Sequence, residues 1–359
     1  MTKYFGIELV EKLSLEFGPS GCESRVAELI ISQIQDYCDA YYKDRNGNVV
    51  AKLCGCGADY NKADPKKLML SAHMDEVGVM INEITEDGYI KFSTVGGIDP
   101  RVLCGRAVVL GDEDRRYKGV IASKAIHMQS AEERTKVTPI KNMYIDIGAK
   151  SKEEAEQYVG IGDVGVFDSD FVRFGTDGVK MKCKALDDRM GCATLIEVMR
   201  MLKDGKCEIP YDVYFAFTCG EEIGISGAQV AAQTIEPDVA VVIETTAVAD
   251  IAGVGEARNV AIQGEGGAIS LMDRSTIYDS KFVQSVMDYA ATCEIPAQIK
   301  RYVSGGNDAG HIHKAGRGVK TLAISAPTRY LHSQSCVVDT RDYENINKLL
   351  FTLIRDAKL

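Results

Sequence analysis

The stretch Val213-Tyr-Phe-Ala-Phe-Thr-Cys-Gly-Glu-Glu-Ile-Gly-Ile-Ser-Gly-Ala228 carries the pattern on which the fold turns. An apolar, aromatic run with strand character breaks at Gly220, sets down Glu221 and Glu222, and leaves through a glycine-punctuated turn toward a helix. Neighbouring carboxylates at the end of a buried strand resist joint ionisation, and proton uptake, basic partners or a metal cation would relieve them. An exposed acidic strand end is the plain alternative. What decides between them is whether the rest of the chain supplies a cation site.

Working outward, the same rhythm repeats. Helix Arg189 to Lys203, strand Asp212 to Phe217, helix Ser226 to Thr234, strand Val239 to Ile243, helix Asp279 to Glu294, strand Ala297 to Tyr302, strand Val319 to Ile324 and helix Thr340 to Asp356 form a βα series. Upstream, two helices between Gly6 and Tyr37 flank a turn at 17–21. Asn46-Gly47 marks a hairpin, and the apolar strand Leu68-Met69-Leu70 ends in Ser71-Ala72-His73-Met74-Asp75-Glu76. Such alternation predicts an α/β domain with a mostly parallel sheet and helices on both faces. From Val77 to Lys182 the texture changes to short β segments: Val79 to Asn82, Tyr89 to Phe92, Ala107 to Leu110, Tyr117 to Ala122, Met143 to Ile147 and Phe171 to Phe174. The expected organisation is therefore a discontinuous domain, 1–75 and 183–359, interrupted by a β-barrel-like insertion over 76–182.

Composition narrows the function classes. The 359 residues are 45% hydrophobic and 26% charged, near globular averages. Met1 to Lys12 lacks the apolar core of a signal peptide, no long apolar run suggests a membrane span, and eleven dispersed cysteines suit a reducing compartment, so a cytoplasmic location is expected. Cys54-Gly-Cys56 is a weak metal motif without a matching second pair. A net charge of -10, with no basic stripe, argues against nucleic acid as a partner.

In parallel sheets functional groups collect at the carboxyl ends of strands. Four positions meet that rule: His73 to Asp75, Glu221 with Glu222, Glu244, and the loop containing His332. Singly, each has a mundane explanation, such as a core histidine or a solvated strand end. Asp187 and Asp188, before a helix, would pass for an acidic cap. Together, two imidazoles among only five histidines and several carboxylates are the donors of zinc or another first-row divalent ion, with Asp75 available to orient His73. A two-metal hydrolase needs one further carboxylate off the metals to take a proton from water, and the Glu221-Glu222 pair answers that need.

These blocks also resemble a family. Ala72-His73-Met74-Asp75-Glu76-Val77-Gly78, Ala185-Leu186-Asp187-Asp188-Arg189-Met190-Gly191, Glu221-Glu222-Ile223-Gly224, Gly305-Gly306-Asn307-Asp308-Ala309 and Arg329-Tyr330-Leu331-His332-Ser333 are similar, in order and along nearly the whole chain, to motifs of the dinuclear-metal aminopeptidases that form tetrahedral shells. That group comprises glutamyl and deblocking aminopeptidases, some carrying an endoglucanase label. The resemblance implies a zinc-peptidase type fold holding two divalent ions, zinc or else cobalt or manganese. His73, Asp187, Glu222, Glu244 and His332 would be the ligands, with Asp187 bridging, Glu221 general base and acid, and Asp75 orienting His73. It further implies peptide substrates, a cis peptide between Asp187 and Asp188, and a homododecamer assembled through the β insertion. Two positions depart from the family pattern: Glu244 stands where Asp is usual, and Gly220 where Gln is usual. A deacylase of small N-acyl amides would share the metals and the base; an endoglucanase or a non-catalytic metal-stabilised scaffold fits the histidine-carboxylate set less well.

Overall fold

A computed structural model describes residues 2–112, 114–255, 259–303 and 305–359. An eleven-stranded sheet forms the centre of the larger body. Its four middle strands, Asp212–Thr218, Lys67–His73, Val239–Ala247 and Lys320–Arg329, run parallel in that order. They read as nearly unbroken buried runs, as strands covered on both faces must.

Outside this core the sheet departs from the expected, mostly parallel arrangement. The hairpin Ala40–Lys43 and Val49–Leu53 adds antiparallel strands at one side, and Cys336–Asp339, Lys180–Cys183 and Val172–Phe174 add three more at the other. Gly267–Ser270 pairs antiparallel with Lys320–Arg329 and parallel with Ala297–Lys300. The sheet is thus mixed. These flanking strands are three to five residues long, too short to show their pairing in the sequence.

Two groups of helices touch the central strands without packing on one another, and so cover opposite faces. Leu186–Asp204, buried almost all round, lies across the strands beside Gly6–Leu15, Ser24–Ile34 and Thr340–Arg355. Ser226–Ile235 and Ala309–Ile312 form the second group.

A separate closed barrel is built from Gly78–Ile84, Ile90–Val95, Tyr144–Asp146, Arg116–Ala122, Ala107–Gly111 and Val164–Phe167. Val79, Ile81, Ile90, Leu110, Ile121 and Ile145 fill it. The barrel's sixth strand is Val164–Phe167, whereas Phe171 to Phe174, expected to belong to it, contributes Val172–Phe174 to the large sheet. Val164–Phe167 is buried at every position and so shows no alternation, while Val172–Phe174 is an exposed edge strand. Within the 76–182 interval, the barrel closes at Phe167, and the chain from Val172 onward hydrogen-bonds into the large sheet.

Candidate metal centre

Parallel strands carry their carboxyl ends to one edge, and the polar strand ends converge there. His73 ends its strand in register with Thr218, the last residue of the strand leading to Glu221 and Glu222. Glu244 lies on the next strand, level with Ser325 of the strand that leads into the His332 loop. Asp187 comes from across the sheet, where Ala185 has φ of +51° and Asp187 and Asp188 are non-helical, so the regular helix begins at Arg189. The Asp187–Asp188 peptide is cis.

Asp187 occupies the middle of the cluster. Its Oδ1 lies 3.3 Å from His73 Nε2 and its Oδ2 lies 3.2 Å from His332 Nε2. Glu244 Oε1 stands 3.7 Å from His73 Nε2, and Glu222 Oε1 stands 3.3 Å from His332 Nε2. One carboxylate thus faces both imidazoles, each of which has a glutamate on its own side. Ligand atoms from His73, Asp188 and Glu244, from His73, Glu221 and Glu222, and from Asp187, Glu222 and His332 fall within 4.8 Å of one another in each group.

The electrostatics are those of a site short of positive charge. Burial first, then the surrounding carboxylates, pushes Glu222 up to about 7 and Glu244 up to about 8, and raises Asp188 and Glu221 well above the usual carboxylate range. Asp187 goes the other way, because the two imidazoles outweigh its burial. Burial alone would lower His332, but Asp187 and Glu222 push it up to about 10. Asp187 Oδ1 is buried, and beyond its 3.3 Å approach to His73 Nε2 it has no hydrogen-bond partner. An acceptor without a hydrogen-bond partner beside an imidazole, in a pocket of excess carboxylate, is what a divalent cation with N and O ligands would satisfy.

Around this cluster lies a supporting layer, part of which the sequence did not reveal. Asp75, expected to orient His73, is fully buried and holds main-chain groups as well. Its Oδ1 lies 3.4 Å from His73 Nδ1 and accepts from the Glu221 amide at 3.1 Å, while its Oδ2 accepts from the Glu222 amide at 3.1 Å and from Ser20 Oγ at 2.6 Å. The side chain therefore fixes the Glu-Glu backbone, while His73 Nδ1 makes its hydrogen bond to the Asp75 main-chain carbonyl at 3.0 Å. His332 Nδ1 bonds the Gly97 carbonyl at 2.8 Å, bringing the turn after a barrel strand to the site. Asp188 accepts from the His73 amide at 3.3 Å and the Gly191 amide at 3.0 Å. Asp308 gathers the hydroxyls of Ser71 at 2.8 Å and Thr218 at 2.7 Å, tying two central strands together below the cluster.

Arg189, fully buried, binds the carbonyls of Leu13, Glu16, Gly18 and Met74, and with Lys184 it pairs Glu76. The signals that could have exposed Ser20 and Gly97 are weak, since both sit in turns far from the motifs in sequence.

The two departures have visible consequences. Gly220 has φ of +64°, a region glycine enters freely, and its amide donates to Glu23 Oε1 at 3.2 Å. The support at that position thus comes from backbone rather than from an amide side chain. Glu244 reaches His73 with its longer stem and also accepts from the Thr245 amide at 2.8 Å. Cys54 and Cys56 lie apart from the cluster, after strand Val49–Leu53.

Comparison with known proteins matches nearly the whole chain. Residues 47–349 match the model of the M42 glutamyl aminopeptidase family. A putative aminopeptidase of Acetivibrio thermocellus is 36% identical over 97% of this chain and 98% of its own length. Among solved structures, the TET aminopeptidase of the marine sediment archaeon Thaumarchaeota archaeon SCGC AB-539-E09 superposes with a TM-score of 0.92 at 35% identity, over 97% of this chain and 95% of that one. The TET1 peptidase of Pyrococcus horikoshii, described as able to assemble into a tetrahedron or a large octahedral shell, superposes with a TM-score of 0.84 at 36% identity, over 97% and 98%.

Proposed function

The chain belongs to the M42 glutamyl aminopeptidase family and is an aminopeptidase; from that premise we propose a dinuclear metal centre, with His73 and Glu244 on one ion, His332 and Glu222 on the other, and Asp187 bridging them. The observation that carries this is the placement of the two Asp187 oxygens, one toward each imidazole. Ions held there would supply Lewis acidity toward the scissile carbonyl and the attacking water. Mixed imidazole and carboxylate donors favour zinc, with cobalt and manganese as substitutes.

Glu221 takes the proton from the attacking water and returns it to the leaving amine. Glu221 is assigned to neither ion, which leaves its carboxylate free to hold a proton between two steps. Asp75, through the Glu221 and Glu222 amides, keeps the two side chains on their separate tasks. The excess of carboxylates around the centre would attract the substrate's free N-terminal amine, which would favour cleavage at the first peptide bond. Carboxylates interleaved this closely with imidazoles do not make the pair of facing carboxyl groups that glycoside cleavage requires.

The barrel is the proposed contact region of a homo-oligomer, a tetrahedral dodecamer, supported by the assembly described for the Pyrococcus horikoshii peptidase. Eleven free cysteines favour a reducing cytoplasm, and among the described residues no helix is long and apolar enough to cross a membrane.

Substituting Glu221→Gln separates binding from chemistry. Metal content by elemental analysis should stay near that of the wild type while kcat on an aminoacyl-arylamide falls about 10^3-fold. Retention of most activity would remove Glu221 from its role.

A further inference from the structure

The Cys54-Gly-Cys56 motif takes no part in the metal centre. It lies in the loop after strand Val49–Leu53, against the loop that joins helix Leu186–Asp204 to strand Asp212–Thr218. The two loops are held together tightly. The Cys56 amide donates to the Ile209 carbonyl at 2.8 Å, and the Gly55 amide to Asp212 Oδ1 at 2.9 Å. A Cβ at Gly55 would meet the Tyr211 carbonyl oxygen at 2.8 Å, and one at Gly57 would meet Glu208 Cβ at 3.1 Å, so the two glycines flanking Cys56 allow this close approach.

Within this contact Cys56 Sγ lies 3.6 Å from the carbonyl oxygen of Cys207. A carbonyl oxygen is about 2.4 Å from its own Cα, so the sulfur is within about 6 Å of the Cys207 Cα. Cys56 Sγ lies a further ~2.8 Å from its own Cα, so the two Cα atoms are at most about 9 Å apart, and reaching a disulfide's span of about 4.4 to 6.8 Å takes side-chain rotation together with a shift of one loop. Cys56 is exposed and Cys207 half-buried, so a dissolved oxidant reaches Cys56 first. The Cys54 amide, by contrast, is tied to Asp39 Oδ2 at 2.8 Å, on the neighbouring hairpin strand's side.

We propose that Cys56 and Cys207 are a reversible oxidation site that closes to a disulfide on exposure to peroxide. The Cys56 thiolate attacks hydrogen peroxide, giving a sulfenic acid and hydroxide. The Cys207 thiol then displaces the sulfenic oxygen, forming the S–S bond and releasing water, and a dithiol reductant restores both thiols. The pair sits before the first residue of a seven-residue strand whose far end leads to Glu221, about 20 Å along the sheet from the metal centre. Its effect is therefore on stability, through cross-linking residues distant in sequence, and is independent of the metal chemistry.

Fully reduced protein treated with stoichiometric hydrogen peroxide, alkylated and digested without reductant should yield a Cys56–Cys207 linked peptide pair that dithiothreitol dissolves. The Tm of the oxidised wild type should rise by a few degrees. Cys56→Ser and Cys207→Ser should each abolish both effects, and Cys54→Ser should leave both intact. A cross-link through Cys54, survival of the thiols, over-oxidation of Cys56 without a cross-link, or a Tm shift that persists in Cys56→Ser would overturn the proposal.

Discussion

Asp75 binds more of the site than its place two residues after His73 suggests. A buried carboxylate that accepts from two consecutive amides and from Ser20 Oγ, beside the His73 imidazole, transmits any change at its position to a proposed metal ligand and to the proposed base together. Groups behind metal ligands are worth about 10- to 100-fold in affinity or activity. Asp75→Asn should therefore weaken metal binding by about that factor, measured by competition with a chelator, and lower kcat as well, because an amide cannot accept from all its present donors. Unchanged affinity would confine Asp75 to a packing role. The residues that cluster at the site were legible in the sequence because histidines are scarce and strand ends are marked by a break in apolar runs. Ser20, Gly97 and Asp188 were not, because a turn hydroxyl, a loop carbonyl and one of two adjacent aspartates acquire meaning only when distant segments meet.

At the scale of elements, the parallel core was legible for the reason that makes it stable: strands covered on both faces are apolar throughout, and helices with their own period lie between them in the sequence. Short flanking strands carry no such signal, and their pairing comes from partners far along the chain. Asp339 illustrates one such junction. It caps helix Thr340–Arg355 through the Arg341 amide and pairs with Lys180 Nζ at 2.8 Å and Arg341 Nη2 at 2.7 Å, linking a flanking strand, a helix and a second strand. Burial would raise its carboxyl, yet the Arg341 and Lys180 bonds hold it down to about 2. Its folded value lies below the unfolded value of about 3.9, so the stabilisation is full above that pH and is lost as the pH falls toward 2. With Arg341 largely solvent-exposed, a contribution of about 1 to 2 kcal/mol is appropriate. Denaturant titrations should show Asp339→Asn less stable than the wild type near neutrality, with the gap closing between about pH 4 and pH 2. A gap independent of pH would contradict this.

The whole molecule joins a mixed α/β body to a six-stranded barrel, and the junction lies beside the site, where His332 leans on Gly97. That a β-rich insertion interrupts the chain was visible in its spacing of turns, whereas the closure of the barrel by Val164–Phe167 was not, since a fully buried four-residue strand has no alternation to display. If the barrel is the contact region between copies, sedimentation should find a particle of about twelve subunits, and disrupting the barrel's surface should yield smaller species; a stable, fully active monomer would contradict the assembly. The most direct test of the central claim is metal reconstitution. Protein stripped by a chelator should lose hydrolysis of aminoacyl-arylamides and recover it on titration with zinc, cobalt or manganese, saturating at two ions per subunit, with Asp187→Asn unable to hold the pair. Full activity after chelation, or saturation with Asp187→Asn binding as the wild type does, would contradict a dinuclear centre bridged by Asp187.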